Sequence, residues 1–106
     1  MRYASHKDTI HLPVVNVLRM SGATVEVIEG RAGTPDLIVG MFGITELVEV
    51  KSGAAAARRK SSTADAQREW MRTWRGRPVV VVTSVDEAMA LVGRMRGAMT
   101  GSEVAR

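Results

Sequence analysis

The residues best suited to chemistry in this chain are Asp36, Glu49 and Lys51. Asp36 follows Thr34-Pro35 and opens the apolar run Leu37-Ile38-Val39, while Glu49 and Lys51 lie two apart in Glu46-Leu47-Val48-Glu49-Val50-Lys51-Ser52. Side chains alternate between the faces of a strand, so Glu49 and Lys51 project together and Val48 and Val50 turn the other way. A hairpin turn at Gly40-Met41-Phe42-Gly43 brings Asp36 toward Glu49. Two neighbouring carboxylates repel unless a cation sits between them. A hard divalent ion such as Mg²⁺ accepts two carboxylates and a carbonyl and keeps several waters. A lysine beside that ion can hold or polarise a water, or neutralise charge growing on a phosphate. Each residue alone has a plainer reading: Asp36 as a turn aspartate, Glu49 and Lys51 as a salt bridge on an exposed strand. Glu46 points to the opposite face from Glu49 and reads as solvated.

The elements that must position these groups follow from the pattern of apolar residues and caps. Residues 5–20 read as a helix, with Ser5 and Asp8 at its start, Ser21-Gly22 at its end, and Ile10, Val14, Val17 and Leu18 on one stripe. Pro13 either bends that helix or moves its start to near Leu12. Residues 24–29 alternate as a half-exposed strand does, and residues 30–35 form a glycine-bearing loop. Strands 36–39 and 44–51 make the hairpin. Ser62 and Asp65 open a second helix that Gly76 closes, with Ala66, Trp70, Met71 and Trp74 on its apolar stripe. Residues 77–83 are a continuous run expected to be a strand buried on both faces. Ser84 with Glu87 is a capping box for a last helix through Val92 or Arg96. The fold class is therefore α/β, a mixed sheet flanked by helices in the order α-β-β-β-α-β-α. The step from Lys51 to Val79–Val82 is a right-handed parallel crossover.

A chain of 106 residues makes one domain, here assigned to residues 1–97, with 98–106 as a disordered tail. The 45% hydrophobic and 25% charged fractions are those of an ordinary globular protein. No apolar run approaches the roughly 20 residues that cross a bilayer, and the first residues lack the apolar stretch of a secretory signal. The absence of cysteine excludes disulfides and thiolate metal sites, and a cytoplasmic location is expected. The net charge of +4 favours an anionic partner such as nucleic acid, the alternative being solubility alone.

Pro35-Asp36, a gap of 12 residues, then Glu49-Val50-Lys51 resembles the signature of the PD-(D/E)XK nuclease superfamily. The wider match is to its VRR-NUC branch, small phage-type and repair nucleases related to Holliday-junction resolvases. It runs from about Ser5 to Val92 and includes Gly33-Thr34-Pro35-Asp36, the strand through Lys51, Ser62, Gln67 and Trp70, and the valine-rich strand. The resemblance implies a restriction-endonuclease-like core and a Mg²⁺-dependent DNA endonuclease, with Mn²⁺ as a substitute ion. It implies Asp36, Glu49 and the Val50 carbonyl as metal ligands, Lys51 as the catalytic lysine, and Gln67 as its support. Asp8 is the nearest match to an acidic ligand on the first helix. A homodimer, a branched or junction DNA substrate, a helicase or other replication or recombination partner, and a bacterial or phage-infected host cell complete that expectation.

Gln67 has an argument of its own. It shares the stripe of Trp70, Met71 and Trp74, and an unpaired buried amide costs about 1–3 kcal/mol, so a lysine or a bound water should meet it. Trp70 and Trp74 read as core packing in preference to base stacking, and His6 and His11 as surface residues. Arg31, Arg58, Arg59 and Lys60 flank the proposed site and are candidates for phosphate contact, as against solvated charge; Arg68, Arg72 and Arg75 extend a basic surface. Competing with the enzyme are a non-catalytic nucleic-acid-binding module on the same scaffold and a structural partner in a phage complex.

Overall fold

The computed structural model describes residues 8–30, 32–51 and 61–105, the side chains of 8–10, 61–63 and 99–105 excepted. Helix α1 spans Asp8–Met20 and contains Pro13. The proline is exposed and the helix runs through it without its N–H bond to the preceding turn. Ala23 donates to the Leu18 carbonyl and Gly22 to that of Arg19, while Gly22 takes φ +103°, so a glycine ends the helix as the sequence suggests. Strands β1 (Thr24–Val27), β2 (Leu37–Met41) and β3 (Ile44–Val50) follow, then α2 (Ser61–Thr73), β4 (Val80–Val82) and α3 (Val85–Ala105). The order is the one expected.

The four strands form one sheet in the order β1-β2-β3-β4. β1 pairs with β2 and β2 with β3 antiparallel, whereas β3 and β4 are parallel across the α2 connection. The register Val25↔Val39, Leu37↔Val48 and Val50↔Val82 places these residues on one face. Val14, Val15 and Leu18 of α1 and Ala88, Leu91, Val92 and Met95 of α3 join them in the buried core. The opposite face carries Ile38, Glu49 and Val81, and it is there that α2 meets the sheet.

Three expectations need correction. The valine-rich run is a short edge strand with one open face, since Val81 is 45% exposed beside a fully buried Val82. A run of branched residues alone cannot tell an edge strand from a central one. The last helix does not stop at Arg96 but runs on to Ala105, across most of the stretch expected as a tail. Gly97 sits on its exposed side, where glycine weakens a helix by about 1 kcal/mol without breaking it. Trp70 and Trp74 stay outside the core cluster. No helix among the described residues is long and apolar enough to cross a membrane.

Candidate active site

Asp36 sits at the mouth of β2, where the chain leaves Pro35. Its backbone bridges two strands: the N–H donates to the Val48 carbonyl and the carbonyl accepts from Ile28. Its Oδ2 accepts a 2.8 Å hydrogen bond from the Val50 N–H. The carboxylate is thereby pinned to the main chain between Glu49 and Lys51.

Glu49 is 3% exposed, and Gln67, 7% exposed, donates its amide Nε2 to Glu49 Oε2. The same amide accepts from Lys51 Nζ through Oε1 at 2.8 Å. Only one orientation of the amide satisfies both neighbours, its NH₂ toward the carboxylate and its oxygen toward the ammonium. Gln67 thus separates Lys51 from Glu49 and fixes both, which meets the demand its place on the helix stripe created.

Gly33 allows α2 to come this close. It has φ +92°, and a Cβ there would lie 2.8 Å from the Ala66 carbonyl carbon and 3.3 Å from the Gln67 nitrogen. Backbone therefore packs on backbone at the turn of α2 that carries Gln67.

The structure adds a residue that the sequence reading placed at the surface. His11 is 7% exposed, and its Nε2 lies 3.5 Å from Asp36 Oδ2 without a hydrogen bond to any described group. The signal was present: His11, Val14, Val15 and Leu18 follow the 3-4-7 spacing of a buried stripe. Glu46 also departs from expectation. It faces away from Glu49 on the side of buried Val48 and Val50, is 7% exposed, and its carboxylate accepts from the Arg77 guanidinium.

Hydrogen bonds thus join Lys51 to Gln67, Gln67 to Glu49, and Asp36 to the Val50 main chain. Asp8 opens α1, but its side chain lies outside the described residues, as do Arg31, Arg58, Arg59 and Lys60. Among the described residues no three histidine, cysteine, aspartate or glutamate side chains form a ready cation cage. The donor set nonetheless suits a hard cation of the kind that takes two carboxylates and fills its shell with water. An unbonded imidazole nitrogen beside one of those carboxylates is a further lone pair or a further N–H in the same place. No family model matches the chain, and no curated protein and no solved structure is similar to it.

Proposed function

We propose that the protein is a metal-dependent endodeoxyribonuclease built on a restriction-endonuclease-like core of the VRR-NUC kind. The observation that carries this reading is the chain Lys51–Gln67–Glu49, set beside an Asp36 that is bonded to the intervening Val50. A simple surface salt bridge would place Lys51 on Glu49 directly and leave both exposed. Here a buried amide stands between the ammonium and the carboxylate, so the lysine is oriented without an ion pair to Glu49.

Asp36 and Glu49, with the Val50 carbonyl, would hold Mg²⁺, or Mn²⁺ in its place. When bound, that ion supplies Lewis-acid stabilisation of the phosphate and lowers the pKa of a bound water. Lys51 holds the attacking water and faces the charge that grows on the phosphate, and Gln67 keeps Lys51 in place. A domain this small covers little DNA, so cutting both strands or a branched junction calls for two copies. A helicase or other recombination protein is a fitting companion.

The competing reading, a binding module without activity, draws on the near-complete burial of Glu49. Incubating the purified protein with branched and linear DNA, in Mg²⁺ or in chelator, decides between them. Metal-dependent cutting that Asp36→Ala, Glu49→Ala and Lys51→Ala each abolish, with folding intact, is the expected result. Full cleavage by Lys51→Ala would refute the mechanism, and binding without cutting would favour the module.

A further inference from the structure

The stripe of α2 that delivers Gln67 continues into an aromatic surface that the core does not use. Trp70 and Trp74 stack with ring centroids 4.8 Å apart and an interplanar angle of 19°. Trp74 is 42% exposed and belongs to no core cluster. An exposed indole held for no structural purpose would be free to turn, but this one is clamped. Its Nε1 donates to the Arg77 carbonyl at 2.9 Å, Trp70 lies against one face, and its edge crosses Gly76 so closely that a Cβ there would sit 2.7 Å from the ring. A rigid, outward-facing aromatic loses little entropy when a flat partner stacks on it.

The surroundings say which flat partner. Between residues 65 and 77 there are four arginines against two acids, Asp65 and Glu69. Arg68 and Arg72 pair with those acids and Arg77 with Glu46, all three side chains staying exposed, while Arg75 forms no salt bridge with a described residue. Aromatic faces among arginines are how proteins hold unpaired nucleotides: the bases stack and the guanidinium groups meet phosphates. A base inside a duplex offers no free face. From Gln67 to Trp74 is seven residues, or about 10 Å along the helix axis, the length of about three stacked base steps.

We infer that the Trp70–Trp74 stack is a binding platform for unpaired nucleotides, placed about three nucleotides from the Lys51 site. This rests on the nuclease reading for its meaning and deepens it, because it makes the substrate a DNA with a single-stranded segment beside the scissile phosphate. The binding itself requires no catalysis.

The chain has 2 tryptophans and both are in the stack, so selectively excited tryptophan emission reports on this surface alone. The full-length protein in chelator is titrated with an oligothymidylate of about 12 nucleotides, within the site size of such surfaces, and with a blunt duplex of equal length. The single strand should quench the emission and the duplex should not. Trp74→Ala should weaken single-strand binding about 5- to 150-fold, and Trp74→Phe should restore most of it. Gly76→Ala, which displaces the ring and keeps both tryptophans, should weaken it as well and guards against misfolding of the first variant. Equal quenching by duplex, or unchanged affinity in Trp74→Ala and Gly76→Ala, would overturn the inference. So would a change in oligomeric state on Trp74→Ala with oligonucleotide affinity intact, since the stack would then join two copies. Quenching without any cleavage in Mg²⁺ would leave the platform standing and remove the nuclease; cleavage without quenching would do the reverse.

Discussion

Replacing Gly33 with alanine tests whether α2 sits where the site needs it. Two separate effects act at this residue. The positive φ of +92° is unfavourable for any residue with a Cβ, by about 1–2 kcal/mol. The new methyl also meets the Ala66 carbonyl carbon at 2.8 Å, and main chain cannot rotate away as a side chain can. Forcing extra volume into a packed contact adds about 1–3 kcal/mol. Gly22 supplies the control, since it has φ +103° but nothing within 4 Å of its would-be Cβ. Gly22→Ala should therefore show the backbone effect alone. The difference between the two variants isolates the steric effect, and 1–3 kcal/mol corresponds to a further fall in Tm of about 4–24 °C. If α2 instead retreats to an ordinary contact near 3.4 Å, the 2.8 Å Lys51–Gln67 bond stretches by a comparable amount and weakens steeply. Metal-dependent cleavage should then fall in Gly33→Ala even at temperatures where it is folded, and remain in Gly22→Ala. Equal Tm values and equal cleavage for the two variants would refute the placement of α2.

Gln67→Leu removes the amide from both Glu49 and Lys51 and should lower stability by about 1–3 kcal/mol. It should also reduce kcat more than it changes KM in steady-state assays, and Gln67→Glu should do worse by setting a second carboxylate beside Glu49. Val82→Ala should cost about 1.5–3 kcal/mol in denaturant unfolding, whereas Val81→Ala, on the open face of the same strand, should stay within about 0.5 kcal/mol. Glu87 caps α3: its carboxylate accepts the Thr83 N–H and hydroxyl, which hold its pKa below the usual carboxylate value. A pKa depressed by folding stabilises above the unfolded value and is lost as pH falls through the folded one. The Tm deficit of Glu87→Gln should accordingly be full at neutral pH and vanish in acid.

Much of the fold was legible because its signals are local. The Ser84–Glu87 cap, the Gly22 stop and the hairpin each need only neighbouring residues, and all are present, the turn being tighter than expected because Gly40 and Met41 pair within β2 and leave Phe42-Gly43 to make it. Strand alternation likewise placed Glu49 and Lys51 on one face and Glu46 on the other. What local pattern cannot supply is who arrives from elsewhere. Glu46 lies on the core side with Val48, and the partner for its carboxylate, Arg77, comes from 31 residues away. His11 is buried because α1 packs across the sheet and brings it beside Asp36, and its stripe shares residues with the alternative stripe through Ile10 and Val17. Trp70 and Trp74 have the spacing of a core pair, yet α2 buries Gln67 and leaves Trp74 exposed.

Glu49 rides on a strand laced to a neighbour on each side, so its amide can exchange with solvent only when the sheet itself comes apart. Gln67 belongs to a helix anchored chiefly by a glycine contact and two side-chain bonds. The acid therefore belongs to the deepest cooperative unit of the molecule, while the amide that holds it sits on a shallower one. On warming, deuterium should enter α2 before β3, and activity should fade at a temperature where the sheet is still whole.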